Sequence, residues 1–226
     1  MDAFYILRIN KFNTTSPSYV NTQQTAMDGV YDDCPTISFE KINTITISDK
    51  TLVKYDLITE KSVKQKGRAL GSNTTFEQFV LINESCFYYY EKLNIIILHC
   101  SKDVFNQFYK AFKEHYEFEF KKANVDFDYI ISNQKLLGIE GIWLGKIDDI
   151  NINSLLLLGN NVEDSSKYRE LRAEGAEISN ITMIYDFNSK QKKVMITKDG
   201  GVVFYTKEDE TNALLIIENI YETLMS

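Results

Sequence analysis

The chain has 226 residues, of which 44% are hydrophobic and 25% charged, and its formal net charge is −7. This is the composition of a folding chain, long enough for one large core or two small ones. The acidic balance argues against a whole-body electrostatic funnel for nucleic acid. A local basic patch stays compatible with it, because salt shortens the reach of distant acids to about 8–10 Å.

The first ten residues, MDAFYILRIN, carry an acid at Asp2, no basic leader and an apolar run too short for a signal peptide. No window approaches the ~20 apolar residues of a membrane helix. The expectation is a cytoplasmic protein without membrane insertion. Phe4 to Ile9 predicts a first strand. Asn10 to Pro35 is rich in Asn, Thr, Ser and Gln, holds both prolines (Pro17 and Pro35), and reads as a long polar loop. Residues 1–35 are accordingly set apart as an N-terminal strand and loop.

From Thr36 the pattern changes. ISFEKINTITIS and TLVKYDLI are rich in β-branched residues and alternate in part, which predicts strands. Phe76 to Asn83 predicts another. CFYYYEKLNIIILHC, Cys86 to Cys100, predicts a hairpin turning at Lys92-Leu93-Asn94, too apolar on both faces to be left wet. That turn would pair Glu91 with Ile95 and Cys86 with Cys100. Ser101 reads as an N-cap for a helix whose stripe is Val104, Phe105, Phe108, Phe112 and Tyr116. In EFEFKKA, helix continuation competes with strand alternation. These elements make residues 36–123 a first β-rich unit ending in a helix.

Residues 124–226 predict a second such unit. QKLLG suggests a short helix capped by Gly138, IWLGKI and INSLLLL strands, and SSKYRELRAEG a helix stopping at Gly175. ITMIYDF, KKVMITK and VVFYTK predict three more strands, the last two joined by Asp199-Gly200. Glu208 to Leu224 closes the chain as an amphipathic helix. The fold class is therefore α+β, with mixed or antiparallel sheets and two similar strand–hairpin–helix units. Ile47–Ile58 aligns on Ile147–Leu158, Arg68-Ala-Leu-Gly71 on Arg172-Ala-Glu-Gly175, the hairpin YYYEKLNIII on MITKDGGVVF, and the following helices on each other. An internal duplication would produce this echo.

Catalytic signals are sparse. The chain has two histidines, His99 and His115, and their spacing assembles no nucleophilic triad. The three cysteines, Cys34, Cys86 and Cys100, lack a C-x-x-C, so no zinc site and no cofactor are expected. Glu119-Phe-Lys121 fits half of a metal-dependent nuclease motif, with Asp126 and Asp128 following. A solvated strand or helix face explains it more simply. No phosphate-cradling glycine motif occurs. Gly138, Gly141 and Gly145 flank the single tryptophan, Trp143, which is expected to be buried.

The clearest polar feature is Lys61, Lys64, Lys66 and Arg68, with no acid between Lys61 and Thr75. Such a loop can hold phosphates. Arg172, Lys190, Lys192 and Lys193 form a weaker counterpart. Arg68 and Arg172 also have a structural reading, each holding its own loop through a carboxylate or backbone carbonyls.

Gly67-Arg-Ala-Leu-Gly71, a strand, a hairpin and an F-x-x-F-x-x-x-F helix follow one another across Lys66–Tyr116. In this order the stretch resembles the C-terminal part of the B component of the Kiwa anti-phage system. The resemblance implies a cytosolic defence protein that binds DNA and works with a membrane partner, and it transfers no catalytic residue. The function expected is a non-enzymatic binding protein for a macromolecular partner, nucleic acid being one candidate. A metal-dependent nuclease or other hydrolase using Glu119 and Lys121 is the second reading. A subunit of an obligate oligomer, held by a protein partner or further copies of itself, is the third.

Overall fold

Long β-branched and aromatic runs broken by Asn, Asp and Gly make this chain mostly antiparallel sheet. The computed structural model describes residues 2–12, 18–21, 36–113, 117–132 and 136–225. Cys34, His115 and Tyr116 lie outside them, as do Pro17 and Pro35.

In chain order the elements are β1 (Asp2–Phe12), β2 (Ser18–Asn21), β3 (Thr36–Ile47), β4 (Lys50–Val63), β5 (Gly67–Arg68), β6 (Thr75–Phe76), β7 (Phe79–Tyr90), β8 (Ile95–His99), α1 (Lys102–Phe112) and β9 (Phe118–Lys122). They continue as α2 (Phe127–Ser132), β10 (Leu136–Gly145), β11 (Ser154–Leu158), α3 (Ser166–Ala173), β12 (Glu177–Phe187), β13 (Lys190–Thr197), β14 (Gly201–Phe204) and α4 (Glu210–Ile220). The α+β class stands, and β1–β14, β2–β3–β4–β7–β8 and β11–β10–β12–β13–β14 pair antiparallel, as do β5 and β6.

The chain divides into two units, Arg8–Lys121 and a C-terminal unit of Lys122–Ser226 joined by Met1–Leu7. The sequence groups the first strand with the polar stretch, as residues 1–35. In the structure β1 is shared between the units, it runs on to Phe12, and the polar stretch contains a second strand, β2.

In the Arg8–Lys121 unit the strand order is β2-β3-β4-β7-β8-β1. One face carries an aromatic core. Tyr55 stacks on its cross-strand partner Phe87 with centroids 4.8 Å apart, and Phe87 meets Phe108 of α1 at 5.7 Å. Phe39, Phe112, Phe118 and Phe120 close the cluster, all buried. The Ser101 hydroxyl caps α1, accepting from the Val104 amide at 3.4 Å. FEFKK is strand β9, not helix: Phe118 and Phe120 point inward while Glu119 and Lys121 point out, the period of two that a helix cannot give.

The β7–β8 hairpin is buried on both faces, as its composition requires, but its register differs from the expectation by one residue. Glu91 to Asn94 form a four-residue turn with Asn94 in the left-handed region at φ 51°, so Tyr90 pairs with Ile95 and Cys86 with His99. Cys86, Tyr88 and Tyr90 therefore share a face with Ile95, Ile97 and His99, and the two cysteines are not cross-strand partners.

In the C-terminal unit the order is β11-β10-β12-β13-β14-β1. Ile139, Ile142, Leu144, Ile181, Met183, Val194, Ile196 and Phe204 are buried, and Tyr185 donates to Asn219 Oδ1 of α4. The expected QKLLG helix is corrected: Leu136 to Gly138 begin strand β10, and the positive φ of Gly138, which suggested a helix cap, sits at a bulge opposite β12. Trp143 is half-buried on the face of β10 that also carries Gly141. At the β13–β14 turn, Gly200 has φ 77°, and a Cβ there would meet the Ile6 carbonyl oxygen at 3.0 Å. Glycine is thus required for conformation and for space.

Each unit contains four consecutive antiparallel strands (β3, β4, β7, β8 and β10, β12, β13, β14) leading into a helix, with the last strand beside β1. The hairpin and helix parts of the echo fall on matching elements. The rest do not. Ile47–Ile58 lies mainly in β4, a central strand, and Ile147–Leu158 ends in β11, at the end of its sheet. Arg68 is in the two-residue strand β5, Arg172 in helix α3.

Candidate interaction surface

The β4–β7 ladder continues for four pairs beyond the buried Thr59, from Glu60↔Ile82 through Lys61↔Leu81 to Val63↔Phe79. At its end β5 and β6 form a small second hairpin, so residues 60–82 make an arm, with Ile58 at its base. Alternation puts Lys61, Val63, Phe79 and Leu81 on one face and Ile58, Ser62, Val80 and Ile82 on the other. Aliphatic groups are left open on both: Ile58, Val80, Leu81 and Ile82 are 41–57% exposed, and Leu70 at the tip is fully exposed.

The tip is built, not loose. The Ala69 amide donates to the Thr74 carbonyl, the Ser72 amide to the Ala69 carbonyl, and the Thr74 amide to Ser72 Oγ. Gly71 takes φ 76°. Phe76 packs edge-on to Phe79, and Gly67 lies so close beneath the Phe76 ring that a Cβ would sit 2.5 Å from it.

The arm also carries all four basic residues singled out from the sequence. Lys61, Lys64 and Lys66 are all exposed. Lys61 Nζ lies 3.9 Å from Asp103 and Lys66 Nζ 3.4 Å from Glu77, pairs so open to water that each contributes under about 1 kcal/mol. Arg68 differs: it donates to the Ser72 carbonyl at 3.0 Å and ties its own loop. Arg172 makes the same contact, donating to the Ala176 carbonyl at 2.8 Å, and adds both oxygens of Asp128 at 2.9 Å. Each arginine thus bonds the carbonyl four residues on, across a glycine at positive φ, although one lies in a strand and the other in a helix.

The second basic group does not form a comparable patch. Lys192 donates to both oxygens of the nearly buried Glu208, and Lys193 pairs with Glu140 while lying 5.0 Å from the centre of the Tyr205 ring. Both are held in place within the fold.

The weak nuclease candidates are not assembled. Glu119 and Lys121 are exposed on β9, and Glu119 Oε1 accepts from Asn10 at 2.6 Å. Asp126 caps α2 through the Tyr129 amide, and Asp128 is taken by Arg172. Among the described residues no three His, Cys, Asp or Glu side chains gather as a metal site. An open polar cleft of about 370 Å³ lies between residues 124–128 and Arg172, Glu177 and Ile178, but its arginine is already committed to the fold.

His99 faces Cys86 across the β7–β8 ladder. The Cys100 thiol is pushed up to about 12, first by burial and then by neighbouring Cys86, against a backbone hydrogen bond from Phe105 that lowers it. A thiol so protonated is no nucleophile near neutral pH.

Sequence reasoning located the lysines but missed the aliphatic surface around them. FVLIN reads as a strand and nothing more. The available signal was its position, next to a basic polar stretch with two glycines and no further apolar run to cover it. Among the described residues no helix is long and apolar enough to cross a membrane. No protein-family model matches the chain, and no curated protein is close enough in sequence to count as a match.

Proposed function

We propose that this is a non-enzymatic binding protein of the cytoplasm that recognises a macromolecular partner through the β4–β7 arm, with nucleic-acid phosphates as the groups contacted by Lys61, Lys64 and Lys66. The observation that carries this reading is the projection of three weakly paired lysines, with bare aliphatic side chains among them, from a hydrogen-bonded hairpin. Cations set beside exposed apolar groups suit a ligand that offers both charge and stacked or packed surface. Arg68 serves the shape of the loop. The resemblance over Lys66–Tyr116 suggests anti-phage defence as the setting.

The test is fluorescence anisotropy with a duplex and a single-stranded oligonucleotide across a salt series. Each phosphate contact contributes about 0.9 to the slope of log K against log salt for duplex DNA. Replacing Lys61, Lys64 and Lys66 together by Ala is expected to lower that slope by about 2–3 and to leave the melting temperature unchanged. Binding that is insensitive to salt, or identical in the triple variant, would remove the arm as the contact surface.

A further inference from the structure

Strand β11 ends the strand order of the C-terminal unit: it pairs with β10 on one side, and among the described residues no strand pairs with the other. Open edges are normally guarded by lysine, proline, a bulge or a covering loop. Here the stretch ININ-SLLLL-GNNV, Ile150 to Val162, has no charged residue and no proline, and the β10–β11 register is regular throughout.

The edge is also short of cover on both faces. Leu155 and Leu157 lie opposite the fully buried Leu144 and Ile142, yet both are only half-buried. Leu156 and Leu158 lie opposite Trp143 and Gly141 on the other face, and Leu158 is 73% exposed. Ile150 is 99% exposed, in a loop fixed by the Asp149 carboxylate, which accepts from the amides of Asn151 and Ile152.

We propose that β11 pairs antiparallel with β11 of a second copy, about a two-fold axis at Leu156. The uncharged stretch from Ile150 to Val162 is centred on that residue. Pairing there sets Leu156 against itself, Leu155 against Leu157 and Ser154 against Leu158, which spans the whole of β11. Alternation is preserved, so the inward leucines of both copies fall on the same face of the extended sheet. The symmetry is that of an isologous dimer. Charges stand only beyond the strand, at Asp148 and Asp149 before it and at Glu163 and Asp164 after it. Asp149 is turned to its own backbone, and Asp164 lies 3.5 Å from Arg169. One five-residue strand from each copy buries less than the ~1,200 Å² of a standard interface, which makes this a weak, concentration-dependent dimer rather than an obligate one. Residual repulsion between the acidic ends gives a further signature: added salt should hold or tighten the dimer, whereas it should weaken phosphate binding by the arm.

Analytical ultracentrifugation of the full chain is the test, with a dissociation constant expected between about 1 µM and 1 mM. Leu158→Lys changes an exposed side chain, and it should shift the protein to monomer at least tenfold in concentration without altering its circular-dichroism melt. In Leu156→Cys, oxidation should yield a disulfide joining position 156 of two chains, identified by peptide mass. The proposal is overturned by a monomer throughout that range, by a dimer unaffected by Leu158→Lys, or by a cross-link that avoids position 156. Because the lysine arm has no part in it, either proposal can fail alone.

Discussion

The β4–β7 ladder has two ends that share a backbone and differ in everything else. At the inner end Tyr55, Leu57, Phe87 and Tyr88 are at most 2% exposed, with α1 packed over Phe87. At the outer end the ladder keeps its regular pairing while Val80, Leu81 and Ile82 stand open to water. Backbone hydrogen bonds alone would not hold a two-stranded ribbon in water, so the outer end depends on the inner one. That dependence frees its side chains from packing duty. The difference shows where this fold stops spending residues on stability.

The sharpest way to break the comparison is a matched pair of truncations. Phe87→Ala empties a fully buried site among Tyr55, Phe39 and Phe108, and should cost about 3–5 kcal/mol in urea unfolding. Phe79→Ala removes a half-buried ring that touches Phe76 in the arm, and should cost about 1 kcal/mol or less. Equal losses would mean that the arm is part of the cooperative core.

Cys86 marks the boundary between the two ends and gives a second, chemical reading of it. It is half-buried, whereas Cys100 is buried with its thiol raised from 9.0 to about 12. At a pH near 8 the thiolate fraction of Cys100 is therefore about a thousandfold below that of an unperturbed thiol. Iodoacetamide labelling followed by mass spectrometry should modify Cys86 well before Cys100. The linkage has a definite sign: the unfolded thiol ionises near 9 and the folded one near 12, so the contribution of Cys100 to stability is complete below pH 9 and is lost between pH 9 and 12. A Cys100→Ala variant should lack that decline relative to the parent. Faster labelling of Cys100 than of Cys86 would show that the inner end opens before the boundary does.

The inner end was largely legible in the sequence and the outer end was not. Alternation and aromatic density gave the strands, the α1 stripe and a hairpin buried on both faces. The hairpin register slipped by one because Asn94, a residue that tolerates the left-handed region, extends the turn to four positions, and no hydrophobic pattern marks that extra residue. Gly138 misled for a related reason: positive φ was rightly suspected, but a bulge uses it as readily as a helix cap. The openness of Val80 to Ile82 and of Leu155 to Leu158 could not be read, because β-propensity reports fitness for a pleated surface and says nothing about which neighbours arrive to cover it. The lysines of the arm were legible as a group because charge, unlike burial, is a property of the residue itself.

The smallest effect separates the two R-A-x-G loops, which look equivalent in sequence and share one hydrogen bond. Arg68 spans its loop alone, in water, through the Ser72 carbonyl. Arg172 makes the corresponding bond to Ala176 and also joins α3 to α2 through Asp128, with its own side chain 30% exposed. Arg68→Ala should therefore cost under about 0.5 kcal/mol of global stability, within the range of ordinary surface changes. Its effect should appear as faster amide exchange at Ser72 and Thr74. Arg172→Ala loses a two-oxygen pair as well and should cost about 1 kcal/mol, discounted for the openness of Asp128. If the two variants were equal in stability, the Asp128 pair would contribute nothing and the loops would be alike in energy as well as in geometry. If Arg68→Ala alone also weakened oligonucleotide binding at unchanged salt slope, Arg68 would be setting the position of the lysines without touching a phosphate, which is the division of labour that its hydrogen bond implies.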